Sequence, residues 1–273
     1  MAGLFANVGA LMPAPSAPAR PLLSACGYTH AGQKRSSNED AIGNYVDDRL
    51  FVVADGVGGH SAGDVAAATA VDALATFFRA FHADPRQNWP YPVDRAMSLG
   101  ANLLRVGVKV ANDKVRAAAA GDRTRARMAS TIVAVAIGDA QLAIAHTGDS
   151  RAYRIRDRAI QRLTRDHSIM EEMLAARPDL SPDEIATFSH RNVVTKCLGS
   201  KDDVEPTVST DALEPGDLYL LCSDGLWGVV SDDQIARIVA STSDLEAACQ
   251  LLLDAANEAG GPDNISAILV RVG

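Results

Sequence analysis

Two apolar runs, Leu50-Phe-Val-Val-Ala54 and Leu218-Tyr-Leu-Leu-Cys222, lead into Asp-Gly pairs, Asp55-Gly56 and Asp224-Gly225. Asp-Gly alone marks a plain turn more often than a site. Here it recurs where a buried strand should end, and three more acidic sites sit beside glycines or at the edges of apolar runs. These are Glu39–Asp40 in Arg35-Ser-Ser-Asn-Glu-Asp40, Asp149 in Gly148-Asp-Ser-Arg151, and Asp263 in Gly260-Gly-Pro-Asp-Asn264. Strands that converge at their ends can bring such carboxylates together. An uncompensated cluster repels itself, so a positive group must sit among them, and hard divalent cations held by oxygen are the natural candidates.

The chain has 273 residues, 47% of them hydrophobic, enough to bury a sizeable core. Its net charge of −8 and the lack of a long basic run argue against nucleic acid or an anionic membrane as partner. They do not argue against a phosphorylated substrate, because bound cations reverse the local field. Cys26, Cys197, Cys222 and Cys249 are far apart and contain no Cys-x-x-Cys, which reads as buried thiols in a reducing, cytoplasmic setting. Asp64, Asp72 and Asp139 interrupt the candidate membrane spans. Residues 1–20 read as a flexible Pro/Ala-rich lead-in; the basic region of a signal peptide is missing. Residues 21–273 then form one domain.

Short strands are expected at Tyr28–Gly32, Ala41–Val46 and Leu50–Ala54, with helices over Ala62–Phe81 and roughly Val93–Ala120. Four strands follow: Ser130–Ile137, Gln141–Thr147, Ala152–Arg156 and Ala159–Leu163. Residues 164–203, with Pro178 and Pro182, read as an irregular functional excursion carrying two short helical pieces. Strands at Val204–Thr210 and Asp217–Ser223, helices at Asp232–Ala240 and Asp244–Ala259, and a closing strand of alternating polarity at Asn264–Val272 complete the chain. Strands and helices come in blocks, which points to an α+β fold of packed antiparallel sheets covered by helices.

Other chemistries fail on their residues. Gly58-Gly-His-Ser-Ala-Gly63 has phosphate-loop spacing, but Asp64 stands where lysine is required. There is no Gly-x-Ser-x-Gly, no Asp-x-Asp, no cysteine followed six residues later by arginine and no histidine pair with zinc spacing. Oxygen-ligated metal with an arginine beside it remains. A pair of ions lowers the pKa of a water between them and offsets charge on phosphoryl oxygens, and the fork of Arg35 can hold two such oxygens. Arg35 in isolation would read as half of a surface ion pair. His60 reads equally as a helix-start residue or as a proton donor to a leaving group.

In this order, Arg-x-x-Asn-Glu-Asp, Asp-Gly-Val-Gly-Gly-His, Gly-Asp-Ser-Arg, Ser-Asp-Gly-Leu and Asp-Asn resemble the metal-dependent protein phosphatase family, type 2C, in its compact bacterial form, over about residues 25–272. The resemblance implies a four-layer α-β-β-α sandwich with a Mn²⁺ or Mg²⁺ site at one end. Asp55 would bridge two ions, Asp224 and Asp263 would hold the first, and the Gly56 carbonyl with Glu39 and Asp40 would serve the second. Asp149 with Asp224 would match a third ion, Arg35 the phosphate-binding arginine, and residues 164–203 the substrate-contacting flap. Two positions depart from the family. Val57 stands where some members have histidine, which leaves the general acid open, and Lys196 stands where arginine is common. The implied activity is hydrolysis of phosphoserine and phosphothreonine in proteins by a monomer opposing a bacterial Ser/Thr kinase, with control of type VI secretion an extrapolation. A non-catalytic phosphopeptide-binding module and a small-molecule phosphohydrolase are the alternatives.

Overall fold

Pairing of strands distant in sequence organises the molecule. In a computed structural model, residues 20–58, 62–120, 122, 124–181, 184–185, 188 and 193–273 are described. The elements run β1 (Leu23–His30), β2 (Asp40–Tyr45), β3 (Leu50–Val57), α1 (Ala62–Ala83), α2 (Leu99–Ala119), β4 (Ala129–Ser130), β5 (Ile132–Ile137), β6 (Gln141–Thr147), β7 (Arg151–Arg156), β8 (Ala159–Arg162), α3 (Ile169–Ala176), β9 (Thr207–Ala212), β10 (Leu218–Cys222), α4 (Asp224–Trp227), α5 (Asp232–Ala240), α6 (Leu245–Glu258) and β11 (Ile265–Val272).

Two antiparallel sheets result. One has the order β1-β11-β10-β7-β8; the other has β2-β3-β5-β6-β9, with β4 added beside β3. Phe51, Val53, Val133, Ile144, Tyr219, Leu221 and Ile268 fill the space between the sheets. The small and aromatic face of α1 (Ala66, Ala70, Leu74, Phe78) and α2 covers the second sheet. Burying Leu74 and Phe78 contributes about 1.5–3 kcal/mol each. α5 and α6 cover the first sheet through Ile235, Val239, Leu252 and Leu253. This is the expected four-layer sandwich. Among the described residues no helix is long and apolar enough to cross a membrane.

Several boundaries differ from the sequence expectation, each for a local reason. β1 starts at Leu23 because its whole length pairs with β11, from Leu23↔Val272 to His30↔Ile265. α2 starts at Leu99, since Ser98 caps it by accepting from the Ala101 N–H. The Asn102 amide folds the preceding segment back by bonding the Asp94 N–H and carbonyl, both at 2.8 Å. β9 begins after Pro206, which has no N–H to donate. β11 does not alternate: it lies between β1 and β10 with both faces covered, so even Ser266 is fully buried. α3 supplies one helical piece of the 164–203 excursion; the second falls largely outside the described residues, as do lead-in residues 1–19.

Candidate active site

The two sheets are stapled at one end by a carboxylate. Asp40 opens β2 in one sheet and accepts from Ser223 Oγ at 2.7 Å and Ser266 Oγ at 2.6 Å in the other. β2 and β3 pair with Asp40 opposite Asp55. Asp55 lies inside β3 and does not end it: the strand runs on to Val57, with Gly56 opposite Ser130. The Asp55 N–H donates to Thr131 Oγ1 at 3.1 Å, and Thr131 Oγ1 meets Ser150 Oγ at 2.7 Å, which ties Asp55 to the turn bearing Asp149. Asp224 opens α4 immediately after β10, and Asp263 precedes β11.

Neither Asp-Gly pair is a left-handed turn. Gly56 and Gly225 are absent from the positive-φ glycines, whereas Gly148 adopts φ 109°. What demands glycine is close approach: a Cβ on Gly56 would strike the Gly63 carbonyl, and one on Gly225 the Asn264 carbonyl. The start of α1 thus presses on β3, and α4 on the start of β11. A Cβ on Gly63 would in turn collide with the Glu39 carboxylate and come within 2.8 Å of the Gly56 carbonyl oxygen. Two oxygen donors expected to share an ion therefore face the same small space.

A cleft of about 870 Å³ opens here, lined by Arg35, Glu39, Asp55, Gly56, Asp149, Asp224 and Asp263, together with Ser37, Val57, Arg127, Thr131 and Val194. Of the expected site residues that are described, Asp40 alone is not in this lining. Asp40 lies behind it, nearly inaccessible; His60 lies outside the described residues. Arg35 Nη2 donates to Asp263 Oδ2 at 2.7 Å.

The acids feel one another. Burial, then Asp40, Asp224, Asp149 and Asp263, push Asp55 well above the usual carboxylate range. Burial lifts Asp40 to about 7 against its two hydroxyl donors, with Asp224 and Asp263 adding to the rise. Asp149 is raised to about 7 by burial and Asp224. Asp224 is raised to about 6 by burial and Asp263, with a hydrogen bond to Asp55 opposing. Glu39 is lifted by burial and by Asp64, a residue that sequence reasoning did not place at the site.

Oxygen-ligated cations fit these residues. Asp40 Oδ1 and Asp224 Oδ1 are buried without a hydrogen-bond partner, an arrangement that costs free energy unless a cation satisfies it. No three His, Cys, Asp or Glu side chains among the described residues meet ligating geometry around one point.

Sequence reasoning missed the scaffold. Asn264 Oδ1 accepts from the Glu39 N–H at 2.8 Å, while its amide donates to the carbonyls of Ala31 (3.0 Å) and Ser37 (2.8 Å), pinning the segment that carries Arg35. Its place beside Asp263 was the available signal. Ser223 was read only as part of the Ser-Asp-Gly-Leu motif, and Ser266, Thr131 and Arg127 carried no signal.

Residues 26–259 match the model of the family described as protein phosphatase 2C. The chain is 36% identical over 247 residues to protein phosphatase PhpP of Streptococcus pneumoniae, covering 89% of this chain and 95% of that one. Its fold superposes on the catalytic domain of the serine/threonine protein phosphatase PstP in complex with two manganese ions, with TM-score 0.76 and 29% identity over 92% of this chain and 99% of that one. It also superposes on PppA, a regulatory component of the type VI secretion system in Pseudomonas aeruginosa, with TM-score 0.75 and 32% identity over 94% and 99% of the two chains. The family model takes in every cleft-lining segment up to Asp224, and the relatives are matched nearly end to end: this chain belongs to the protein phosphatase 2C family.

Proposed function

We propose that the cleft binds two Mn²⁺ or Mg²⁺ ions and hydrolyses phosphoserine and phosphothreonine in proteins. The observation that carries this reading is the gathering of Asp55, Asp149, Asp224 and Asp263 on one cleft with Asp40 behind them, where burial first and neighbouring acids second raise Asp40, Asp55, Asp149 and Asp224. Buried acids that raise one another mark a site shaped for an external cation. Asp55 would be shared between the ions, Asp224 and Asp263 would hold the first, and the Gly56 carbonyl and Glu39 the second. Asp40 would act from behind the cleft, and Asp149 with Asp224 would serve a third. Bound there, the ions supply Lewis acidity, acidifying a water and neutralising charge on the phosphoryl group.

The chain's own residues do the rest. Among the described residues only one guanidinium nitrogen of Arg35 has a partner, so its fork retains donors for phosphoryl oxygens. Asn264 holds the Arg35 segment in place, and the Thr131–Ser150 pair keeps Asp55 and Asp149 in fixed relation. Val57, 53% exposed, and Val194 give the cleft apolar walls suited to a peptide more than to a bare metabolite.

The test is Mn²⁺-dependent turnover of a phosphothreonine peptide beside an aryl phosphate, sugar phosphates and nucleotides. Preference for the peptide is expected. Preference for the metabolites overturns the protein-substrate reading, and no metal-dependent turnover at all favours a binding module. His60→Ala tests the proton donor: a loss on phosphothreonine but not on an aryl phosphate, whose leaving group needs no proton, marks that role. Similarity to PhpP and to PppA, a regulatory component, supports action in a bacterial signalling pathway; we further propose that the protein acts there opposite a Ser/Thr kinase, as a cytoplasmic monomer. Phosphoproteomes of deletion strains lacking this chain or the kinase test that placement.

A further inference from the structure

The 164–203 excursion is bolted to the acidic cleft by a buried charge that the proposed chemistry does not use. Arg151, the first residue of β7, forks onto Asp166: Nε to Oδ1 at 3.0 Å and Nη2 to Oδ2 at 2.6 Å. Both side chains are largely shielded, with exposures of 13% and 6%. Arg151 Nη1 donates to the Tyr153 hydroxyl at 3.1 Å. The guanidinium also lies 3.4 Å from the centroid of the Trp227 ring. Trp227 closes α4, which Asp224 opens, and its Nε1–H donates to the Asp149 carbonyl at 3.0 Å. One cation thus touches the excursion, and its aromatic partner touches the backbone of one cleft acid on the short helix of another.

The next residue repeats the attachment. His167 stacks on His146 of β6, with ring centroids 4.7 Å apart and planes within 7°. Its Nδ1 accepts from the Gly148 N–H at 3.1 Å, and its backbone N–H donates to the Gly148 carbonyl at 2.9 Å. The returning strand of the excursion hangs on this root. The Thr195 N–H donates to the His167 carbonyl at 2.8 Å, the Ile169 N–H to the Val193 carbonyl at 3.0 Å, and Ser168 bridges Val194. Val194 lines the cleft. A continuous path therefore leads from Arg151 through Asp166 and residues 167–169 to a wall of the cleft.

We propose that Arg151 is a positioning residue: gripping Asp166 while stacked on Trp227, it fixes the root of the excursion, and through it Val194, relative to Asp149 and Asp224, and so sets affinity for the peptide around the phosphate. This rests on the reading that the cleft hydrolyses phosphopeptides. Arg151 itself is not among the residues that line the cleft. A planar fork makes both the bidentate bond and the stack, which a lysine ammonium cannot do.

The test measures kcat and KM at saturating Mn²⁺ for a phosphothreonine peptide and for p-nitrophenyl phosphate, with melting curves for each variant. Arg151→Lys and Asp166→Asn should raise the peptide KM roughly tenfold, the effect of leaving a binding wall to be ordered on each encounter, and move either kinetic constant for the aryl phosphate less than about twofold. Trp227→Leu should raise the peptide KM, and Trp227→Phe, which keeps a ring beneath the guanidinium, should recover most of it. If Arg151→Lys does not fold, Asp166→Asn and the Trp227 pair carry the test. Folded variants that lose kcat alike on both substrates, or that leave the peptide KM unmoved, overturn the proposal while the phosphatase reading stands. A wild-type protein with no metal-dependent turnover on either substrate overturns that reading and this proposal with it.

Discussion

Asp217 and Asp40 are both buried carboxylates at the start of a strand or just before one, yet their surroundings drive them in opposite directions. Burial alone would lift Asp217, but the Arg156 fork at 2.6 and 2.7 Å, the Glu214 N–H at 2.8 Å and the Tyr219 hydroxyl at 3.1 Å outweigh it and hold the acid below its ordinary range. Among the described residues Asp40 receives two short hydroxyl bonds and pairs with no basic side chain, so burial wins and the acid rises to about 7. Neutral donors do not replace a counter-charge in a low-dielectric setting. The fold balances Asp217 and leaves Asp40, Asp55, Asp149 and Asp224 of the cleft region unbalanced. That contrast separates the charge that holds the sandwich together from the charge reserved for chemistry.

The sharpest way to break the comparison is to remove a cleft acid. Asp55→Ala or Asp224→Ala should reduce metal-dependent turnover at least roughly a thousandfold, about 4 kcal/mol of barrier, in steady-state assays. A near-wild-type rate would place the chemistry elsewhere. On the balanced side, Asp217→Ala removes the fork partner of Arg156, which keeps Glu214, and should lower unfolding stability measurably in denaturant melts. The folded fraction should keep kcat within about twofold. Loss of activity without loss of stability would erase the distinction between the two acids.

Cation binding sharpens the contrast. Mn²⁺ at a hundred times its Kd should stabilise the protein by about 2.7 kcal/mol, seen as a rise in Tm that chelator reverses. For the ion-free protein the sign follows from proton counts. Folded Asp40, Asp149 and Asp224 hold protons up to about 6–7, whereas the unfolded acids release them near 4. Between those limits the folded state binds more protons, so these acids make stability fall as pH rises. His146 and His167, both lowered chiefly by burial, oppose this trend below about pH 6.5. Asp149→Asn isolates the acid contribution: in chelator it should gain Tm over wild type at pH 8 and little at pH 4. The smallest expected effect is at the cleft edge. Arg35→Ala should raise KM about tenfold with a lesser change in kcat, because it removes contacts shared by ground and transition states. A pure kcat loss would assign Arg35 to the reaction coordinate.

Much of this was readable along the chain. The β6 segment Gln141–Thr147 and the α5 segment Asp232–Ala240 match their expected bounds, since β6 is a short apolar run after the Gly138-Asp139 turn and α5 opens on a Ser231–Gln234 capping box. Asp55, Asp149, Asp224 and Asp263 converge on one cleft as their positions beside apolar runs suggested. The unread part is long-range. Ser223 and Ser266 meet Asp40 only because β10 and β11 pair in a particular register beneath the other sheet, and a serine carries no signal of that partner. Arg151 and Asp166 are 15 positions apart, and nothing in either residue foretold the ring of Trp227 beneath the guanidinium.

By itself, then, the order of residues determined the kind of layers this protein builds and the acids that end up sharing a cleft, because apolar periodicity and Asp-Gly placement are local properties. Only the tertiary structure decided which acid faces the cleft and which lies behind it, why glycine follows Asp55 and Asp224, and how the excursion is tied down. Those outcomes depend on strand register and the close approach of backbones distant in sequence, where a shift of one residue turns a side chain to the opposite face.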